Sequence, residues 1–222
     1  MRESNRLRLK TAKVAQRLEE VFGVPKVTQE DPLDCLIGCI LSQNTSDVNS
    51  DRAFDRLKER FPTWEDALAA TSRQIEAAIR CGGLAEQKSV WIHDILAWLK
   101  RTHGKLDLGF LRKMPAPEAM KLLTRLNGVG MKTASIVMVF SCGRDVFPVD
   151  THVHRVCRRL GLIPPKCTAD QAHELMAALV PKGKALSFHL NLIRYGRAYC
   201  KARNPVCPKC PLGRFCLRPE LK

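Results

Sequence analysis

Apolar residues recur at three- and four-residue steps along most of this chain, and that period predicts helices. Leu7, Val14, Leu18 and Val21 or Phe22 mark an N-terminal helix of about two dozen residues or fewer. Leu33, Leu36, Ile37, Ile40 and Leu41 repeat the pattern behind Pro32. Phe54, Leu57 and Phe61 mark another helix, and Ile75 and Ile79 a short one stopped by Gly82-Gly83. Trp91, Ile95, Trp98 and Leu99 place a helix from Glu86 to His103, ended by Gly104. Pro115 to Leu126 reads as a helix with Pro and Glu in its first turn. Thr168-Ala-Asp-Gln171 reads as a capping box for a helix through Leu179. Lys184 to Cys200 offers Leu186, Leu190, Ile193 and Tyr195 for burial. No run alternates as a half-buried strand does, and no segment repeats. The expected fold is all-α, with short loops and an irregular cysteine-rich tail.

Composition adds a core and a charge. The 222 residues allow one large domain or two small ones. Hydrophobic residues make up 45% and aromatics only 6%, so aliphatic side chains must fill the interior. Lys and Arg total 37 against 22 Asp and Glu, a formal net charge of +15. That excess favours a polyanionic partner, nucleic acid first, although a basic surface without a specific partner has the same composition. No segment approaches the roughly 18 consecutive apolar residues of a membrane span. The N-terminal stretch Met1 to Lys13 is polar and basic, without the apolar centre of a signal peptide. An intracellular protein is therefore expected, and with it reduced thiols rather than disulfides. Cys35, Cys39, Cys81, Cys142, Cys157 and Cys167 are expected to be buried free thiols.

The other four cysteines crowd the tail, as Cys200, Cys207, Cys210 and Cys216 in the spacing C-x6-C-x2-C-x5-C. Four thiolates this close can enclose one metal centre, and prolines at 205, 208 and 211 keep the loop from continuing as a helix. Zinc takes four cysteines tetrahedrally, and a [4Fe–4S] cluster is also held by four. Spacing alone leaves both open.

Two further segments carry candidate chemistry. Leu126-Asn-Gly128-Val129-Gly130-Met-Lys132-Thr133-Ala joins two predicted helices. Its two glycines permit a tight turn and leave backbone N–H groups bare at the next helix start, where a phosphate can bind. Many such turns only join helices. Lys132 falls in the first turn of that helix, where a cation opposes the dipole. On spacing alone a solvated or phosphate-contacting lysine is the better reading. The sharper one is a nucleophilic amine, which must be neutral, a form the dipole and nearby cations favour. Downstream, Phe147-Pro148-Val149-Asp150 precedes a helix from Thr151 to Leu160 that Gly161 ends. Asp150 suits its N-cap. Its carboxylate could equally stabilise a developing oxocarbenium ion or activate an attacking group. The two roles are compatible, because a cap fixes the carboxylate.

These features occur in one order: Leu-Asn-Gly-Val-Gly-Met-Lys-Thr-Ala, then Val-Asp-Thr-His, then the cysteine tail. From about Pro32 to Cys216 the chain resembles endonuclease III, of the helix–hairpin–helix DNA glycosylase superfamily. The resemblance implies two helical domains with the active cleft between them. A six-helix barrel domain over 25–144 would carry the hairpin and Lys132. An iron–sulfur cluster domain over 1–24 and 145–222 would carry Asp150. It implies base-excision repair by a bifunctional glycosylase and abasic-site lyase for oxidised pyrimidines. The partner would be double-stranded DNA with a damaged base or abasic site, and the protein a monomer. A cytoplasmic, nucleoid-associated location follows if the source is bacterial.

The resemblance also assigns roles. Lys132 would attack the sugar C1′ of a flipped nucleotide, form a Schiff base and cut the strand by β-elimination, with Asp150 assisting base release. The four tail cysteines would bind [4Fe–4S], in a structural rather than hydrolytic role. Gly128 and Gly130 would hold a DNA phosphate, Val129 and Thr133 beside them would contact DNA, and Lys201 and Arg203 would face DNA from the cluster loop. Leu84 matches an intercalating residue. Asn44 stands where the family usually has the glutamine that fills the gap left by the flipped base, and Gln43 beside it could serve instead. Asn127 replaces a usual proline and Met131 a common basic residue. The segment from Leu106 to Leu123 is longer than in the best-known bacterial members, as in some other branches, including plant 5-methylcytosine glycosylases. These departures bear on base preference, and a branch for alkylated or mismatched bases is the alternative. A DNA-binding iron–sulfur protein with weak catalysis is a further alternative.

Overall fold

The computed structural model describes residues 2–217, and among these there are helices and turns but no strand. The all-α expectation is met. The chain divides into two compact units, one formed by residues 29–144 and the other by 1–28 with 145–222. No helix is long and apolar enough to cross a membrane among the described residues.

The 29–144 unit is built around α2 (Pro32–Ser42). Asp31 caps it by accepting from the Leu33 and Asp34 N–H groups, and Pro32 follows where its missing donor costs nothing. Leu33, Leu36, Ile37, Ile40 and Leu41 are all fully buried, which is why this helix reads as apolar on most sides. It packs against α3 (Asp47–Arg60), α6 (Ala85–His103) and α8 (Met131–Ile136). Between α3 and α6 lie α4 (Trp64–Ala69) and α5 (Ser72–Ile79), and α7 (Ala116–Leu123) precedes the hairpin. The six-residue α4 is too short to show a period. Its signal is local, a capping box between Thr63 and Asp66.

One expected boundary shifts, and one helix ends in a way no boundary was expected for. The helix expected from Pro115 to Leu126 ends at Leu123, because Arg125 and Leu126 N–H bond three residues back to Leu122 and Leu123 and tighten the chain into the hairpin. After α8 the chain widens into a π-helical turn, Val137–Ser141, closed by the Cys142 N–H to Val137 carbonyl bond at 3.2 Å.

In the other unit, α1 (Arg2–Phe22) packs on α10 (Ala169–Leu179) and α11 (Ala185–Ala198). Glu19 of α1 accepts from Lys184 Nζ at 2.9 Å and Ser187 Oγ at 2.8 Å. Burial works against its charge, but these donors hold the Glu19 carboxyl below its ordinary pKa. The Thr168–Gln171 capping box forms as the sequence predicts. Of the six scattered cysteines, Cys35, Cys142, Cys157 and Cys167 are buried, whereas Cys39 and Cys81 are partly exposed, which corrects the expectation for that pair. Cys39 lies in the last turn of α2, and Cys81 lies in the 3-10 turn Arg80–Gly82, where the helical face no longer turns wholly inward.

Candidate active site and cysteine centre

In the 29–144 unit the hairpin is fixed from three sides. Gly128 has φ +79°, and a Cβ there would lie 2.4 Å from the Trp91 ring of α6, so only glycine fits both the turn and the contact. Its carbonyl accepts from Gln43 Nε2 at 2.8 Å. Val129 closes the turn by donating its N–H to the Leu126 carbonyl. Val129 and Thr133 are buried, so any contact they make with a phosphate is through the main chain. Gly130 is the exposed N-cap of α8 and has no side chain to cap it, which leaves the first N–H groups of α8 uncapped by a side chain. Lys132 follows two residues later with its side chain exposed. Cys39 of α2 lies near enough to feel its charge. A hydrogen bond with Cys35 and burial push the Cys39 thiol well up, and the Lys132 cation pulls the other way.

The two segments matched to intercalating residues are also in this unit. Gln43 and Asn44 follow α2, and the structure separates their tasks: Gln43 is committed to the hairpin, while Asn44 is exposed with φ +53°. Leu84, between Gly83 and α6, is 51% exposed with φ +49°. Asparagine visits the left-handed region readily, whereas a leucine there is strained. An exposed, strained leucine at a helix start contributes little to a core.

Asp150 belongs to the other unit. It caps α9 (Thr151–Leu160), with Oδ1 accepting from the Val153 N–H at 2.7 Å. The Phe147–Val149 stretch before it is buried. His189 of α11 holds that stretch through its ring Nδ1, 3.0 Å from the Pro148 carbonyl, and its edge meets the Phe147 ring. The carboxylate is thus anchored on both sides while staying partly exposed.

The four tail cysteines border one small cavity, together with Arg159, Tyr195, Tyr199, Pro205 and Val206. Tyr195 Oη lies 2.9 Å from Cys210 Sγ, and Arg159 Nη1 3.4 Å from Cys200 Sγ. Burial and the thiol neighbour raise the Tyr195 hydroxyl far above its ordinary pKa. Arg159 also donates to the Lys201 carbonyl at 2.7 Å, and Arg155 Nε to the Cys200 carbonyl at 3.0 Å. Two arginines of α9 therefore set the path of the loop. Among the described residues no three His, Cys, Asp or Glu side chains converge as ligands of one ion. The four thiols line one shared cavity, a donor set that either a zinc ion or a [4Fe–4S] cluster accepts. Lys201 and Arg203 are exposed on this loop.

Sequence reasoning missed Lys88, His189, Arg159 and Tyr195. Tyr195 was expected only to be buried, and Lys88 lies on a helix whose apolar positions alone were read. The available signal was the charge of Lys88 three positions before Trp91, in the register of the buried face. His189 and Arg159 bind main-chain carbonyls distant in sequence, which leaves no local signature.

A family model described as the HhH-GPD superfamily base excision DNA repair protein matches residues 37–182. A protein from Arabidopsis thaliana described as "Putative DNA glycosylase" is 40% identical over 82% of this chain, a stretch that spans 59% of that protein's length. Endonuclease III from Thermotoga maritima is 31% identical over 85% of this chain and 84% of its own. Among solved structures, an endonuclease III in a non-covalent DNA complex superposes with a TM-score of 0.82 at 28% identity, covering 95% of each chain.

Proposed function

The chain belongs to the HhH-GPD superfamily of base excision DNA repair proteins and has the endonuclease III fold, and on that footing we propose that it is a bifunctional DNA glycosylase and abasic-site lyase for oxidised pyrimidines. The observation that carries the reading is Lys132, exposed in the first turn of α8 directly after the glycine hairpin. Its neutral amine forms a bond to C1′ of the flipped nucleotide, and the base leaves with the glycosidic electron pair and a proton. The sugar ring opens to a Schiff base on Lys132. Loss of a C2′ proton then breaks the C3′–O bond on the 3′ side of the lesion. Asp150, held by its cap, stabilises the positive charge that grows on the sugar as the base departs. The uncapped N–H groups of α8 and the basic surface account for phosphate binding.

Cys200, Cys207, Cys210 and Cys216 would hold a [4Fe–4S] cluster. When bound, it orders the tail loop and takes no part in the hydrolytic chemistry.

Borohydride reduction of a mixture with abasic duplex should give a covalent protein–DNA product, and Lys132→Gln should abolish it. Trapping that survives the substitution would overturn the nucleophile. A panel of duplexes, each with one modified base, tests the preference. Release of alkylated or mismatched bases in place of oxidised pyrimidines would move the chain to another branch.

A further inference from the structure

Lys88 of α6 is wholly buried in the 29–144 unit, with 0% of its surface exposed. Burying an ammonium is costly unless its donors are well matched. Its two hydrogen-bond partners are both main-chain carbonyls, Leu41 at 2.7 Å and Gly82 at 2.9 Å. Among the described residues no carboxylate pairs with it. A methionine or leucine would fill this site more cheaply, so the charge has a local reason.

The two carbonyls supply it. Leu41 lies in the last turn of α2, whose final carbonyls lack helical partners and carry the negative end of the dipole. Gly82 ends the 3-10 turn Arg80–Gly82. Three residues after Leu41 comes Asn44, and two after Gly82 comes Leu84. These are the two exposed non-glycine residues of this unit in the left-handed region. The segments also touch: a Cβ on Gly82 would lie 3.0 Å from Ala53 Cβ and 3.9 Å from the Leu41 carbonyl. One buried cation thus joins the roots of both projecting residues.

We propose that Lys88 is a positioning residue that locks the Asn44 and Leu84 segments together, so that the two enter DNA as one rigid wedge. The proposal rests on the functional reading in placing Asn44 and Leu84 against DNA. It goes beyond that reading in naming what sets their separation. Lys88 touches neither substrate nor reacting atoms. It acts by fixing two backbone segments, one of them strained at Leu84, each of which would otherwise relax independently.

The test uses the intact protein and Lys88→Met, with Lys88→Gln as a milder variant that keeps an uncharged N–H donor group should Lys88→Met fail to fold. Amide hydrogen exchange is read in the free protein, and single-turnover cleavage is read on abasic sites in duplex and in single-stranded DNA. Exchange should accelerate together in residues 42–45 and 83–85, with the rest of the unit near its native protection. Duplex cleavage should fall roughly ten- to a hundredfold, the scale of a small misplacement. Single-stranded cleavage, which needs no wedge, should stay within about twofold of the native rate. Acceleration in only one segment, a uniform loss of protection across 29–144, or equal losses on both DNA forms would overturn the proposal. A native protein inactive on abasic duplex would count against the functional reading, and the exchange pattern would still decide the coupling.

Discussion

Gln43 donates its side-chain amide to the Gly128 carbonyl at 2.8 Å, which ties the end of α2 to a hairpin 85 positions away. The glutamine beside the expected wedge position is therefore part of the scaffold, and the exposed Asn44 is free to reach outward. The two residues should respond differently to substitution. Gln43→Ala leaves a carbonyl without its partner and should cost about 1 kcal/mol of stability. Asn44→Gly keeps a residue at ease at positive φ, so stability should change by less than about 0.5 kcal/mol. Base release from duplex should nevertheless fall roughly tenfold in Asn44→Gly, the equivalent of about 1.4 kcal/mol. Thermal melts beside single-turnover kinetics separate the two. Equal kinetic loss with unchanged stability for Gln43→Ala would place the wedge at Gln43 instead.

Gly128 meets two demands at once, a φ of +79° and a Trp91 ring where a Cβ would lie. Gly128→Ala should destabilise the protein by about 1–3 kcal/mol through strain and displacement of the ring. Trp91→Leu frees space but leaves the dihedral penalty, so the double variant should recover part of the Gly128→Ala loss and not all of it. A double-mutant cycle by chemical denaturation measures that coupling. Full additivity would show that the ring contact is unimportant.

The helical skeleton was legible because its determinants are local. The apolar step behind Pro32 gave α2, the Thr168–Gln171 box gave the start of α10, and Gly104 and Gly161 ended two helices at positive φ. Asp150 was legible as a cap for the same reason, a side chain bonding three residues on. The parts that escaped depend on partners far along the chain. Nothing within several residues of Lys88 announces the Leu41 carbonyl, and nothing near His189 announces Pro148. Gln43 and Asn44 are adjacent polar residues, and only the fold decides which of them turns inward. The cysteine spacing left the metal open, and the fold adds that the four thiols share one cavity with Arg159 and Tyr195.

His173 of α10 is buried, and burial lowers its pKa below the ordinary 6.5. A hydrogen bond to the Phe147 carbonyl and the Asp170 charge oppose that shift without cancelling it. Below the unfolded pKa the unfolded chain takes up a proton that the folded site resists, so this group removes stability as pH falls through that range. Denaturation midpoints measured from about pH 8 down to about pH 5 should therefore fall less steeply for His173→Gln than for the native protein. Parallel curves would show that His173 is protonated in the fold as readily as in the unfolded chain.

The cysteine centre predicts both a composition and a dependence. Protein purified without oxygen should be yellow-brown and contain iron with acid-labile sulfide, whereas a single zinc would leave it colourless. Cys210→Ser removes a sulfur that Tyr195 supports and should lower the metal content sharply. Exchange protection should then fall around 200–216 and in α9, whose Arg155 and Arg159 bind the loop. Residues 29–144, a separate compact unit, should keep theirs. Zinc in stoichiometric amount with no sulfide would refute the cluster.

The Asp150 carboxylate caps α9 through the Val153 N–H at 2.7 Å and has a proposed task at the sugar. Two substitutions separate them. Asp150→Asn keeps a side-chain oxygen able to cap, so stability should hold within about 0.5 kcal/mol. It removes the negative charge, and if that charge stabilises the oxocarbenium-like state, base release should slow on the order of a hundredfold. DNA affinity should change little. Asp150→Ala should show the same kinetic loss with an added stability cost of about 1 kcal/mol for the missing cap. The measurements are single-turnover base release, thermal unfolding and duplex binding for each variant. If Asp150→Asn releases base at the native rate while Asp150→Ala does not, the aspartate acts as a cap alone and the charge on the sugar is stabilised elsewhere.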